Sequence, residues 1–143
     1  MSQNKSKSTQ KKSKDFSKSS TTLEINNFSI AEEVYPDEPE KLEKYKKQRE
    51  ERGFDDTETW HLDKTLALFL IPRLKIFIQV NNGFPGGETE ESFNEKLNFI
   101  LNSFQEYYYN ENEQSSLELE KERIINLRKA SGILGEIWLD LWW

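Results

Sequence analysis

Hydrophobic residues recur at helical spacing most clearly in the middle of the chain. Residues that return every three or four positions line one face of an α-helix. In the segment 56–80 they are Trp60, Ala67, Leu70, Leu74 and Phe77, widened by Leu66, Ile71 and Ile78. The pattern therefore predicts a core helix over residues 56–80.

Pro72 interrupts this pattern. Its ring collides with the carbonyl group of Leu68 in a regular helix, and proline has no backbone N–H to donate. We expect a kinked helix or two helices that meet near Ile71. A strand over KIFIQV is an alternative, because β-branched and aromatic residues favour strands. The kinked helix is favoured, since the stripe continues through Leu74 and Phe77.

Two more core helices follow the loop NNGFPGG. The first spans residues 90–109, with Thr89 as the expected N-cap. Its apolar stripe is Phe93, Leu97, Ile100, Leu101, Phe104, Tyr107 and Tyr108. The second spans residues 115–143, where Ser115 and Glu118 form a possible capping box. One of its faces carries Leu117, Ile124, Leu127, Ser131, Leu134, Trp138 and Leu141.

Glycine and tryptophan give the last helix two unusual features. Gly132 and Gly135 each cost roughly 1 kcal/mol relative to alanine. That cost is tolerable if Ser131 and Gly135 allow close approach of another helix, and it can also mark a bend. We expect Trp138 and Trp142 to close the hydrophobic core. The alternative is an exposed aromatic anchor for another subunit or a partner, formed by Trp142 and Trp143.

A peripheral helix is predicted over residues 37–52, ahead of the core. Asp37 is a candidate N-cap, Pro39 lies in the first turn and Gly53 follows the end. Only Leu42 and Tyr45 offer apolar contacts, so the helix should be largely solvated. The predicted fold is mainly α: a small bundle of about three core helices plus one peripheral helix, together forming a helical domain over 37–143.

The N-terminal segments differ from the rest in charge and composition. The chain carries a net charge of −6, yet residues 1–22 contain six lysines and a single acid. This Lys/Ser-rich tail is expected to be disordered. It is either a solubilising tail or a nucleic-acid contact. Residues 23–36 predict an extended arm packed on the domain or a linear motif, with Phe28, Ile30 and Tyr35 as candidate partner-binding residues.

Candidate chemistry is sparse. The chain has no cysteine, which excludes disulfides and thiolate sites. His61 is the only histidine, so it could serve only one catalytic site. No phosphate-loop motif occurs. The longest apolar run is far below the roughly 20 residues of a membrane span. We therefore expect no catalytic residues, no metal, no cofactor and no membrane contact.

The acids of GFDDTETWHLD allow one metal alternative. Asp55, Asp56, Glu58 and Asp63 could bind Mg²⁺ if acids from another helix joined them. Most of them also suit the first turn of a helix, where acids cap free N–H groups and complement the dipole. Asp63 is different, since it falls near the apolar face. It should find a partner such as Arg73, Arg128 or a backbone donor.

Several short motifs together carry a resemblance. They are GFDDTETWHLDKTLALFLIPRLKIF, NNGFP, EESFNEKLNFIL and the closing LWW. The chain resembles a group of small proteins of tailed phages and prophages over roughly residues 53–104 plus the end. The resemblance implies a phage origin and no particular activity. Its signature residues here are Gly53, Phe54, Asp56, Trp60, Asp63, Pro72, Arg73, Phe84, Pro85 and Trp138.

These observations favour a non-enzymatic phage accessory protein that binds another macromolecule. It would act as an inhibitor of a host protein or as a minor virion or assembly component. The location would be the host cytoplasm during infection, or the virion. One alternative is a nucleic-acid-associated protein that uses residues 1–22, and another is a magnesium-dependent enzyme. Homo-oligomers could form through the tryptophan-rich C-terminus.

Overall fold

The computed structural model describes residues 29–30, 37–110 and 116–142, and every described secondary-structure element is helical. The five α-helices are α1 (Pro39–Arg52), α2 (Thr57–Trp60), α3 (Leu62–Val80), α4 (Glu90–Tyr108) and α5 (Leu117–Glu136), followed by a 3₁₀ turn at Trp138–Asp140. The predicted mainly α fold is confirmed. The basic tail 1–22 lies outside the described residues.

The core lies between α3, α4 and α5, with α4 in contact with both of the others. From α4, Phe93, Leu97 and Ile100 are almost fully buried. The opposing side chains come from Ala67, Ile71 and Leu74 of α3, from Ala130 of α5, and from Ile137 beyond it. The stripe predicted for α4 therefore faces the core.

The segment 56–80 breaks at His61 rather than near Pro72. His61 has φ −125° and ψ 69°, which ends α2 and begins α3. One continuous helix then runs through Pro72, so both the strand and the two helices meeting near Ile71 were wrong. Pro72 is exposed, so the hydrogen bond that its missing N–H cannot make is lost on the solvent side of α3. In the same turn the Arg73 guanidinium donates to the carbonyl oxygen of Phe69 at 2.9 Å.

The helix ends follow local capping rules with shifts of one residue. The Thr89 hydroxyl oxygen accepts a hydrogen bond from the Ser92 N–H, as expected. For α5 the cap is Ser116, whose side chain accepts from Leu119, and not Ser115. For α1 it is Glu38 rather than Asp37, because Pro39 occupies the first helical position.

The C-terminal end departs most from expectation. Helix α5 stops at Glu136, so a helix over 115–143 was wrong. Trp138 is 62% exposed and Trp142 is 75% exposed, so neither closes the core. Ile137 takes that place, because it follows Ala130 and Leu134 at helical spacing and is 3% exposed.

No other described helix packs closely against the two glycines of α5. A Cβ atom added at Gly132 or Gly135 would meet nothing within 4 Å. The helix also continues through both positions without a break. The predicted approach of another helix at Gly135 was therefore wrong.

Candidate functional site

Acids cluster where α1 meets α2, and we call Asp55, Asp56 and Glu58 the acidic junction. Asp55 is the most buried of them, with 1% of its surface exposed. Its carboxylate lies 2.5 Å from Nη1 of Arg49. The Thr57 N–H and hydroxyl donate to its other oxygen. A buried carboxylate paired and hydrogen-bonded in this way has a structural role.

Asp56 ties the same junction to α1 from a more exposed position. Its carboxylate accepts hydrogen bonds from Gln48 at 2.8 Å and from Arg52 at 2.7 Å. Lys44 Nζ lies 3.1 Å away. The hydrogen bond from Gln48, followed by those from Arg52 and Lys44, lowers the pKa of Asp56 well below its usual value. Asp56 therefore stays charged and joins α1 to the next helix.

Glu58 was predicted as an acid of the first helical turn or as a possible metal ligand, and in the structure it binds another part of the chain. Its carboxylate accepts hydrogen bonds from the Ser29 hydroxyl and the Ile30 N–H, each at 2.8 Å, and from the Asp55 N–H at 2.9 Å. Ile30 is half-buried here. At residues 29–30 the segment packs against the domain, as the arm interpretation expects. Phe28 and Tyr35 lie outside the described residues.

Asp63 has a different partner from those predicted. The Tyr108 hydroxyl donates to its carboxylate at 3.0 Å and joins α3 to α4. Arg73 is not the partner, because its guanidinium stacks 3.6 Å from the ring centre of Phe69. Burial, followed by the hydrogen bond to Asp63, raises the pKa of Tyr108 to about 12.

The geometry gives no support to the magnesium alternative within the described part of the chain. No three acidic or histidine side chains converge there in a way that could hold a metal ion. Asp55 and Asp56 are paired with arginines, and Glu58 is occupied by backbone and hydroxyl donors. His61 is exposed between α2 and α3.

Two of the signature aromatics lie at the junction between α1 and the bundle. Trp60 is 54% exposed, so it does not begin the core stripe. Its ring instead packs edge-on against Tyr45 of α1, with ring centres 6.2 Å apart. Phe54 lies under the Arg52 guanidinium at 4.6 Å. Between the helices, Gly53 adopts a left-handed conformation with φ 84°, which ends α1.

Large apolar side chains are exposed in the C-terminal segment and in the loop before α4. We call Phe84, Trp138, Leu139 and Trp142 the C-terminal patch. Leu139 is 86% exposed and Phe84 is 51% exposed. Phe84, Pro85 and Trp142 share the walls of a small pocket of about 120 Å³, to which Asp140 contributes a carboxylate. The pocket thus brings signature residues of the loop to the tryptophan-rich end. Trp143 lies outside the described residues.

Helix α3 carries a second exposed apolar surface. Leu62, Leu66, Phe69, Ile76 and Val80 are between 42% and 59% exposed, and we call them, with Arg73, the outer face of α3. A groove of about 700 Å³ runs beside this face, lined chiefly by α3 and by Leu141. The sequence pattern missed this face, because α3 is apolar on nearly all sides and only one side can pack on α4.

Neither membrane-spanning potential nor similarity to known proteins points to a function. Among the helices of residues 37–110 and 116–142, none is long and apolar enough to cross a membrane. Comparison of the chain with protein-family models, with curated proteins and with solved structures finds no match. The exposed features that a partner could contact are therefore the two apolar surfaces.

Proposed function

We propose that this chain is a non-enzymatic binding protein that contacts a protein partner through its C-terminal patch. The observation that carries the proposal is the exposure of Trp138 and Trp142, at 62% and 75%. Tryptophan supplies much of the binding energy at protein interfaces when it enters a pocket on the partner. Exposing two such side chains to water is unfavourable unless a partner covers them.

The surroundings of the patch define the chemistry of that partner. Asp140 lines the pocket beside Trp142, and Glu136 lies at the end of α5. Residues 130–142 contain no lysine or arginine. An apolar surface with a negative rim fits a partner surface that offers an apolar pocket with a positive rim.

The resemblance implies a phage origin. The protein would then bind its partner in an infected cell. The partner is then a host protein that the chain inhibits, or another protein of the virion or its assembly. The protein would act in the host cytoplasm during infection, or in the virion. The nucleic-acid alternative depends on residues 1–22, and no described residue favours it.

Affinity capture from infected host cells, followed by quantitative mass spectrometry, tests the proposal. Three tagged full-length chains are compared: the wild type, the Trp138→Ala/Trp142→Ala variant and the control Ile125→Ala. Ile125 is 64% exposed on α5 and is not in the patch. The expected result is a protein recovered with the wild type and the control and lost with the patch variant.

Two outcomes would overturn the proposal. The first is recovery of the bait alone from every sample. The second is a set of bound proteins that the patch variant and the wild type share in equal amounts. Circular dichroism of the three chains serves as the folding control, because all three substitutions are at exposed positions.

A further inference from the structure

The outer face of α3 is a stripe of large, exposed apolar side chains that runs along the whole helix. Its positions are 62, 66, 69, 73, 76 and 80, with alternating steps of four and three residues. Positions 62, 69 and 76 are seven residues apart, and so are positions 66, 73 and 80, which is the heptad spacing of a coiled-coil seam. The period is kept over the whole of α3, and Arg73 is the single polar member.

The inner and outer faces of α3 are separate. The inner face packs Ala67, Ile71 and Leu74 against α4, where each is at most 3% exposed. Leu66 and Ile76 on the outer face are 59% and 55% exposed. Helix α4 covers the inner face. No described helix buries the outer face, so that face can pair with a helix of a second copy of the chain.

The spacing is the same in both directions along the helix. When a second α3 runs antiparallel, with position 71 as the centre, three kinds of layer form. Leu62 meets Val80 of the second copy, and Leu66 meets Ile76. Phe69 meets Arg73. Two of these layers join aliphatic side chains and the third joins an aromatic ring to a guanidinium that can stack on it, so the face can pack on a second copy of itself, as the interface of a two-fold symmetric dimer must.

Arg73 suits the central layers of such a pair. Its guanidinium already lies 3.6 Å from the centre of the Phe69 ring in its own helix. Arginine is weakly hydrated and stacks on aromatic rings, so it tolerates partial burial there better than lysine would. In the antiparallel pair, Arg73 faces Phe69 of the second copy as well.

We propose that the outer face of α3 is the interface of an antiparallel homodimer. Its side chains keep roughly half their surface exposed, so two copies bury on the order of 1,000 Å², near the lower limit for specific interfaces. Leu70 and Phe77 line the groove beside the outer face of α3 and extend the contact. This inference is independent of the function proposed for the C-terminal patch.

Sedimentation equilibrium of the full-length chain over a range of concentrations tests whether the dimer forms. The variant Leu66→Glu/Ile76→Glu places four carboxylates in the interface, and both positions are exposed in the single chain. The matched control is Leu117→Glu, at a position 61% exposed on α5. We expect a concentration-dependent dimer for the wild type and the control. The Leu66→Glu/Ile76→Glu variant should raise the dissociation constant of the dimer at least tenfold.

Disulfide trapping tests the antiparallel orientation, and the absence of native cysteine makes it specific. A mixture of Leu62→Cys and Val80→Cys chains should give a disulfide-linked heterodimer under mild oxidation. Leu62→Cys alone should not link to itself, because antiparallel copies hold those positions about 27 Å apart at 1.5 Å per residue.

Three results would overturn the proposal. One is a wild-type chain that stays monomeric up to its solubility limit. Another is rapid self-linking of Leu62→Cys, which indicates a parallel pair. The third is a dimer that survives Leu66→Glu/Ile76→Glu but is lost in Trp138→Ala/Trp142→Ala, which would move the interface to the C-terminal patch.

Discussion

The acidic junction and the C-terminal patch stand in opposite relation to their surroundings. At the junction, charged groups are withdrawn from water, and Asp55 is 1% exposed. Each of its acids has a partner within the chain. At the patch, apolar side chains face water, and Leu139 is 86% exposed. Residue types alone would have assigned chemistry to the first region and core packing to the second.

The different surroundings of the two regions indicate different roles for them. A carboxylate whose counter-charge and hydrogen-bond donors come from its own chain has a structural role there. A large aromatic side chain that stays mostly exposed keeps that surface available for a partner. Function in this molecule is therefore expected at the apolar surfaces, and stability at the charged junction.

The largest expected effect comes from removing the cation that faces Asp55. Arg49→Met leaves a buried carboxylate without its counter-charge, which should lower the free energy of unfolding by about 3 kcal/mol. Urea denaturation followed by circular dichroism measures it. The matched control is Arg52→Met, because its partner Asp56 is half-exposed and the loss there should be much smaller than for Arg49→Met. Equal small losses in the two variants would contradict a structural role for the Arg49–Asp55 pair.

The contact between α3 and α4 through Tyr108 and Asp63 should contribute less. Tyr108→Phe removes one hydrogen bond to a partly solvated carboxylate, at a cost of about 1 kcal/mol. Burial and Asp63 raise the pKa of Tyr108 to about 12 in the folded chain. Its contribution is therefore full below pH 10 and is lost as the pH rises through 12.

Alkaline denaturation of the wild type and Tyr108→Phe measures this dependence. The stability of the wild type should fall more steeply between pH 10 and pH 12. Parallel stability curves for the two chains in that range would show that the hydroxyl is not held as described.

Alanine at the two glycines of α5 should stabilise the chain modestly. Gly132→Ala and Gly135→Ala each relieve an entropic cost of roughly 0.8 kcal/mol, and the added methyl group meets no atom within 4 Å. Thermal unfolding should show a higher midpoint for each variant and an additive shift for the pair. A loss of stability would mean that another surface packs on these glycines.

The smallest effect is expected at the patch itself. Trp138→Ala and Trp142→Ala should each change the free energy of unfolding by less than about 0.5 kcal/mol, since exposed side chains contribute little to folding. Urea denaturation tests this against Arg49→Met. A loss above about 2 kcal/mol for either tryptophan would place it in the core and remove the contrast between the two regions.

Local signals in the sequence predicted much of the fold. The stripe of α4 and its Thr89 cap were correct, because α4 packs on both α3 and α5 and its apolar spacing has one solution. Gly53 ended α1 because only a residue that tolerates positive φ fits there. These features depend on neighbours within one or two helical turns.

The errors came from features that depend on distant contacts. In the segment 56–80, Trp60 and Leu66 match the helical spacing as well as Ile71 does, and only the break at His61 and the position of α4 decide which side chains are buried. At the C-terminus, Trp138 continues the spacing of Leu134, but α5 ends at Glu136 and Ile137 fills the core instead. The hydrogen bonds between Glu58 and residues 29–30 had no local signal, because 28 positions separate Ile30 from Glu58.

Glu58 also has a consequence for how the chain opens. One carboxylate closes a loop that contains the whole of α1, and it does so with two hydrogen bonds, from Ser29 and Ile30, and no covalent link. Helix α1 is held by these bonds and by the partners of Asp55 and Asp56, and it contributes no residue to the core that α3, α4 and α5 share, so the molecule contains two units of unequal stability. Amide hydrogen exchange should therefore be faster throughout α1 than in α4.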